Sequence, residues 1–476
     1  MQNVHGNLIG GEWRAARDAI ASVNPSETSD VIGHYAVATA ADVDEAVERA
    51  TRAQLAWFDL TPQERSVRLD AIAGDIDSAR EMLARELSRE EGKTLPESRA
   101  EVTKSAQLFK YFAGEAVRMW GEHVSSIRAG IDIDVERRPL GVVGLITPWN
   151  FPMSIPAWKA APALAYGNAV ILKPSELTNA VAWSLAQIAS RHLPAGLFQL
   201  VMGDGRVGQA LSAHAGIQGI SFTGSTRTGE HIAASAARGM RLQFEMGGKN
   251  PLIVMDDADL DKAVDAAVKG AFYSTGQRCT ACSRLIVHHA VAEAFIGKMQ
   301  EAMKRLRVGH ALDDGTDIGP LVSEPQLDRV QSYLAVGQKE GAKLVLGGER
   351  VEARTKGHFM RPALFIDDDP GHRINREEIF GPVASVLRVA DLEQGIAVAN
   401  DTEYGLCAGL FTASLASARR FRREIRAGMA MINLPTVGTD YHVPFGGTRA
   451  SSFGPKELGS SAREFYTSPM TIYTTA

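Results

Sequence analysis

Residues 140–146 read Leu140-Gly-Val-Val-Gly-Leu-Ile146 and stop at Pro148, and residues 169–172 read Ala169-Val-Ile-Leu172 and stop at Lys173-Pro174. Two further apolar runs, 198–202 and 219–222, follow. Each is too short for a helix and too uniformly apolar for a strand with one wet face. Between them, residues 180–192 and 207–214 carry apolar side chains at helical spacing. Continuous apolar strands alternating with helices predict a parallel sheet covered on both faces. That is the architecture of a nucleotide-binding lobe.

Upstream, residues 31–37 alternate as a strand, and residues 41–57 have helical spacing with Thr39 as cap and Asp42 three residues on. More helix is expected from Pro62 to about Gly121. Ile131, Ile133 and Val135 then alternate with Asp132, Asp134 and Glu136, which reads as a half-exposed strand. Beyond Gly247-Gly248 the alternation restarts: strand 252–255, helix 260–272, strand 283–288, helix 291–307. The fold class is therefore α/β, with two parallel lobes. The β-rich tail, 470–475, reads as an edge strand that needs a partner.

A length of 476 residues with 45% hydrophobic and 22% charged residues excludes disordered and fibrous classes. Lys+Arg 51 against Asp+Glu 56 leaves a net charge of -5. No basic face for nucleic acid is apparent; the run Arg419, Arg420, Arg422, Arg423 reads as the polar side of one helix. No stretch approaches the ~18 apolar residues of a membrane span, and residues 1–11 lack a secretory pattern. Three cysteines, Cys279, Cys282 and Cys407, argue against a disulfide framework and for a reducing cytoplasm.

Two glycine motifs invite misreading. Gly203-Asp-Gly-Arg-Val-Gly208 has dinucleotide spacing, yet the next strand ends in Thr223-Gly-Ser225 where that fingerprint wants an acid. Gly224-Ser-Thr-Arg-Thr-Gly229-Glu230 has P-loop spacing with Glu230 where the lysine belongs, so triphosphate hydrolysis is not expected. Its glycine and hydroxyls at a strand-to-helix turn still suit a diphosphate.

Three residues carry chemistry. Cys279, in Gly276-Gln-Arg-Cys-Thr-Ala-Cys282, fits a nucleophile, a C-x-x-C redox pair with Cys282, a zinc ligand lacking partners, or an inert buried thiol. As a nucleophile it needs an electropositive setting, which Arg278 and a helix N-terminus at Thr280 would supply. Glu245, in Phe244-Glu-Met-Gly-Gly-Lys249, stands before two glycines that would let it swing as a general base, or is a plain strand-end acid. Asn150, in Pro148-Trp-Asn-Phe-Pro152, offers an amide donor to a developing oxyanion, or a structural turn.

Taken with Lys173-Pro-Ser-Glu176, Phe222-Thr-Gly-Ser225, Glu378-Ile-Phe-Gly-Pro382 and Pro444-Phe-Gly-Gly447, these motifs occur in an order that resembles the aldehyde dehydrogenase superfamily over essentially the whole chain. The resemblance implies Cys279 as the nucleophile. It implies Asn150 and the Cys279 N–H as the oxyanion hole, and Glu245 as the base that hydrolyses the thioester. Members that pass the acyl group to coenzyme A lack this glutamate, so water is the implied acceptor. Lys173 and Glu176 would hold the adenosine ribose and Ser225 the diphosphate. Gly205 would line the adenine pocket, Glu378 the nicotinamide ribose, and Phe380 the ring. Trp149, Ser175 and Gly247 lie in the matched motifs as further cofactor contacts. The implied cofactor is NAD, since Glu176 accepts a 2′-hydroxyl and repels a 2′-phosphate; Lys173 beside it leaves NADP open.

The implied domains are a cofactor lobe of residues 1–121 and 139–247, a catalytic lobe of 248–455, and oligomerisation segments 122–138 and 456–476. These segments would form a β ribbon joining a homodimer or homotetramer. The usual K-x-S-G-x-G ending is replaced by Arg449-Ala-Ser-Ser-Phe-Gly454. The stretch 433–445 resembles the branch that oxidises 2-oxoglutarate semialdehyde (2,5-dioxopentanoate). An acidic aldehyde needs a cation; the resemblance implies Lys104 and Arg278 within its reach, with Phe151, Trp158 and Phe445 as walls, the other reading of Lys104 being a solvated helix lysine. The competing readings are a general, aromatic or succinate semialdehyde dehydrogenase, a non-catalytic scaffold, and a dithiol redox protein.

Overall fold

A computed structural model describes residues 4–475. Residues 1–3 and 476, the outermost parts of the segments 1–121 and 456–476, lie outside the described residues. The apolar runs form the parallel centre of an eight-stranded sheet among the described residues. Its central order is Phe198–Leu200, Ala169–Lys173, Val142–Ile146, Gly219–Thr223, Arg241–Glu245. The chain thus builds outward from Val142–Ile146 in one direction, then returns to its other side. Such a reversal opens a crevice at the carboxyl ends of Val142–Ile146 and Gly219–Thr223. All residues of these two strands and of Ala169–Lys173 are buried, which is why they read as unbroken apolar runs. Antiparallel strands finish both edges: Asn7–Ile9 with Glu12–Arg14, and Ser452–Phe453. The last lies in the segment 248–455 yet pairs with Arg241–Glu245, so the second half of the chain reaches back into the first sheet.

The second sheet has seven strands, from Lys343–Leu346 at one edge to Met429–Ile432 at the other. Cys282–His288 lies beside Asn250–Val254 near its centre, with parallel pairing. A third, antiparallel sheet joins Glu122–Ser125, Ile131–Pro139 and Thr467–Thr475. The tail's partner is therefore Ile131–Pro139 of the same chain, while Glu122–Ser125 stays exposed at the edge.

Helix Ala40–Phe58 begins with the expected capping box of Thr39 and Asp42. The single helical region expected over 62–121 divides into Pro62–Ser78, Arg80–Glu91 and Leu95–Ala116. Gly92 ends the second of these at φ 95, and a Cβ there would meet Pro320 and Pro25 at 2.8 and 2.9 Å. Only glycine fits that turn. The turn matters because it delivers Lys93 to the site. No helix among the described residues is long and apolar enough to cross a membrane.

Candidate active site

The crevice at the sheet reversal is a cleft of about 1510 Å³. Lys173, Ser175, Glu176 and Gly205 line its outer end and Trp149, Thr223 and Ser225 its inner end. There it meets a second cleft of about 670 Å³, lined by Asn150, Gly247, Cys279, Glu378 and Phe380. Pro148, Trp149, Thr223, Gly224 and Ser225 belong to both. Together they make one groove leading to the cysteine.

The groove fits a dinucleotide. The hydroxyls of Thr147 and Thr223, which line it, are buried without a hydrogen-bond partner among the described residues. Ser225 caps helix Thr226–Ser235 by accepting the Thr228 N–H, leaving the helix N-terminus turned to the groove. By contrast, helix Gly205–Ala213 is capped by the Asp204 carboxylate. An acid already holding that N-terminus disfavours a phosphate. The GxGxxG stretch therefore lines the groove without cradling phosphate. At the outer end, Lys173 Nζ lies 3.6 Å from Glu176 Oε2. Burial lowers the Lys173 pKa, with Glu176 and Asp204 opposing. At the inner end, a Cβ on Gly247 would stand 2.5 Å from Glu378 Oε2, and Glu378 Oε1 accepts the Gly248 N–H at 2.9 Å. Phe380 takes φ 61 and packs edge-on to Trp149 at 5.3 Å.

Cys279 follows a contorted turn. Ser274, Thr275 and Gly276 adopt φ 53, 57 and 65 in succession, and a Cβ on Gly276 would lie 2.2 Å from the Gly381 carbonyl oxygen. Backbone in this region is costly for residues with a Cβ and gathers at functional sites. The electropositive setting expected for the thiol is not found. Arg278 donates to Glu97 at 3.0 Å and to Ser274 Oγ at 2.7 Å, so its charge is taken up. Thr280 does not open a helix. The apolar run after it joins the parallel sheet as Cys282–His288, leaving only a two-residue turn. Burial and the carboxylates of Glu378 and Glu245 push the Cys279 thiol up to about 12, against the pull of the Cys279 and Thr280 N–H groups. The thiol thus rests protonated. Cys282 is buried, and its Sγ points to the Ala267 carbonyl at 3.8 Å on the helix behind the sheet.

Asn150 Nδ2 donates to the Gln277 carbonyl at 3.0 Å. An amide nitrogen has two protons, so one is left for a ligand. Glu245, at the end of Arg241–Glu245, is buried. Its Oε2 accepts from Ser452 Oγ at 2.6 Å, and its Oε1 has no partner among the described residues. Burial, then the neighbouring Glu457 carboxylate, push its pKa up to about 8, with Ser452, Lys456 and Lys159 opposing. Glu457 is itself buried against Lys159, which also donates to Ser221 at 2.8 Å.

Outside the residues that line the two clefts, the half-buried Lys104 donates to the Thr439 carbonyl and hydroxyl at 2.9 and 3.2 Å. It stands 5.9 Å from the centre of the Trp158 ring. Burial lowers its pKa; the fields of Glu101, Asp440 and Cys279 oppose. Trp158 packs on Phe445 at 5.0 Å, and its indole N–H is buried without a partner. Phe151 is half-buried beside Lys93.

Sequence reasoning missed Lys93, Glu97 and Glu101, which lie unremarked in the helical stretch expected over 62–121, and the Lys159–Glu457 pair, whose members lie far apart in sequence. Gln326 and Arg329, which line the inner cleft, also gave no signal.

A groove shaped for a dinucleotide that ends at Asn150, Cys279 and Glu378 is that of an oxidoreductase. The pattern of the aldehyde dehydrogenase family matches residues 13–472, and the chain belongs to that family. It is 41% identical to the alpha-ketoglutaric semialdehyde dehydrogenase of Bacillus subtilis, over 99% of this chain and 98% of that one. It is 38% identical to the alpha-ketoglutarate semialdehyde dehydrogenase of Haloferax volcanii, over 98% of each. Among solved structures, the betaine aldehyde dehydrogenase of Staphylococcus aureus in complex with NAD+ is similar with a TM-score of 0.96 at 34% identity, over 99% of this chain and 94% of that one. An NADP dependent enzyme of E. coli is similar with a TM-score of 0.96 at 35% identity, over 99% and 98%.

Proposed function

We propose that this chain oxidises 2-oxoglutarate semialdehyde to 2-oxoglutarate, with NAD as the preferred cofactor. The observation that carries the substrate reading is the desolvated Lys104 ammonium beside an unpartnered indole N–H of Trp158. A half-buried ammonium with no carboxylate partner among the described residues and a buried indole N–H with no partner suit the distal carboxylate of an acidic aldehyde. The names of the two relatives point the same way. Arg278, already paired with Glu97, is left out of the clamp.

The chemistry follows from Asn150 and Cys279, which line the inner cleft, and from Glu245, whose free oxygen lies toward Gly446 and which would swing to the cleft to act. Cys279 gives its proton to water in the open cleft and its thiolate adds to the aldehyde carbon. The free proton of the Asn150 amide and the Cys279 N–H receive the negative oxygen that results. When bound, the nicotinamide cofactor supplies the hydride acceptor; Glu378, Gly247 and Phe380 would hold its reactive end and Lys173, Ser175, Glu176, Trp149 and Ser225 the rest. Glu245 then takes a proton from water, which attacks the thioester carbon and frees the acid and the thiol. The Glu176 carboxylate, half-buried beside Lys173 at the outer end, accepts a 2′-hydroxyl and repels a 2′-phosphate, which favours NAD.

The two parallel sheets are read as a cofactor lobe (1–121 and 139–247) and a catalytic lobe (248–455). The exposed strand edge of Glu122–Ser125 is read as the seam of a homodimer or homotetramer. Three free cysteines suit a reducing cytoplasm.

The test is reduced-cofactor absorbance at 340 nm with 2-oxoglutarate semialdehyde, succinate semialdehyde, propanal and benzaldehyde, each with NAD and NADP. A kcat/KM preference for the acidic aldehydes, strongest for the oxo-aldehyde, is expected. Lys104→Met should cost that preference about 10–100-fold, as for a lost charge-assisted bond, and leave propanal unaffected. Equal rates with benzaldehyde would leave a general aldehyde dehydrogenase.

A further inference from the structure

Lys93 follows the left-handed Gly92 and is fully buried. Its ammonium donates to Glu101 Oε2 at 2.6 Å and to the Asn150 backbone carbonyl at 2.6 Å. It also stands 3.9 Å from the centre of the Phe151 ring. The other oxygen of Glu101 accepts the N–H groups of Met153 and Ser154 at 3.0 and 3.1 Å, which are among the orphan donors at the start of helix Ser154–Ala165. One turn earlier, Glu97 Oε1 accepts from Ser274 N, Ser274 Oγ and Arg278 Nη2 at 2.8, 3.0 and 3.0 Å.

Glu97 and Glu101 stand four apart on helix Leu95–Ala116 and so share a face. One rigid element therefore grips both walls of the inner cleft. Glu101 and Lys93 hold the turn that carries Asn150; Glu97 holds the left-handed turn that carries Cys279. An oxyanion donor acts only when it stands close to where the charge develops, so the spacing of these turns decides the rate. A buried ion pair stabilises less than an apolar pair of the same shape, so stability alone does not account for Lys93 and Glu101. Lys93 is packed behind the turn and has no access to substrate.

We propose that Lys93 and Glu101, with Glu97, are positioning residues that fix the Asn150 amide relative to Cys279. The proposal rests on the reading of Asn150 as the oxyanion donor. The test is a cycle of Lys93→Met, Asn150→Ala and the double variant in the full-length enzyme. It is read as the pre-steady-state burst of NADH with propanal, alongside KM for NAD and the rate of Cys279 alkylation by iodoacetamide. Alkylation needs the thiolate and no oxyanion hole.

Asn150→Ala should slow the burst about 100–1,000-fold, as for other lost oxyanion donors. Lys93→Met should slow it about 10–100-fold, with KM for NAD and the alkylation rate unchanged. The double variant should be no slower than Asn150→Ala alone, because a residue acting only through Asn150 has nothing left to lose. Lys93→Arg should recover part of the rate. A wild-type burst in Lys93→Met, or an equal slowing in both backgrounds, overturns the clamp. A wild-type burst in Asn150→Ala overturns the oxyanion reading instead. If Lys93→Met gives no cooperative thermal transition, Glu101→Gln replaces it in the same cycle. That variant keeps an acceptor for Met153 and Ser154, removes the charge opposite Lys93, and carries the same expectations.

Discussion

The two walls of the catalytic groove are built by opposite means. The cofactor wall is made mostly of strand ends and the helix turns that follow them, with local caps such as Ser225 and Asp204. The nucleophile wall is a turn of left-handed residues held by side chains far away in sequence, above all Glu97. A site assembled from strand ends inherits its shape from the sheet. A site assembled from strained turns depends on each distant contact that holds it.

The largest expected effects remove the reacting groups themselves. Cys279→Ala should abolish turnover, a loss on the order of 10³-fold or more, since no other group on that wall can form the covalent adduct. Glu245→Gln should keep the NADH burst and lose steady-state turnover by about 10²–10⁴-fold, because acylation survives and hydrolysis does not. A burst lost together with turnover would show that Glu245 acts earlier.

The pH profile sharpens the same point. Glu245 is protonated below about 8 and cannot then accept a proton from water. Turnover limited by hydrolysis should therefore rise with pH through about 8 and fall below it. The nearby Glu457 charge is part of what holds that pKa up. Glu457→Gln should move the rising limb to lower pH; an unmoved limb would assign it to Cys279.

The difference between the walls also explains how much the sequence discloses. The runs 140–146, 169–172 and 219–222 are legible because burial on both faces leaves no alternation, and the Thr39 cap because its partner Asp42 is local. Cys279, Asn150 and Glu245 stand out through the motifs around them. Glu97, Glu101 and Lys93 do not, because the partners that tie them to the Asn150 and Cys279 turns lie 52 to 181 residues away. Charged residues on an amphipathic helix look the same whether they face water or a buried turn. The expected helix at Thr280 fails for a related reason: the apolar run after it is claimed by the sheet.

A stability measurement compares the long-range contacts with the local ones. Lys159 and Glu457 are both buried, join positions 298 apart, and sit under the first sheet next to Glu245. Lys159→Met leaves the Glu457 carboxylate buried without its cation. It should cost about 3–5 kcal/mol in urea unfolding. Arg52, in the exposed pair with Glu48 on helix Ala40–Phe58, is the control. Arg52→Met should cost no more than about 0.5 kcal/mol.

The smallest expected effects test backbone strain on each wall directly. Thr275 holds φ 57 with a β-branched side chain, a conformation that costs on the order of 1–3 kcal/mol. Thr275→Gly relieves that strain, but it loses the hydroxyl's bond to the Gly319 carbonyl at 3.1 Å and frees the unfolded chain. These contributions oppose, so the melting temperature should move little while kcat falls as the turn loosens. On the cofactor wall, Gly205 has ordinary backbone, and a Cβ there would meet nothing within 4 Å. Gly205→Ala should stabilise the protein by about 0.4–1 kcal/mol. It should leave kcat unchanged, with any penalty confined to KM for NAD because the methyl group enters the groove. If kcat falls equally in both variants, the two walls are coupled as one unit. The contrast between a shape given by the sheet and a shape held by distant side chains would then not survive.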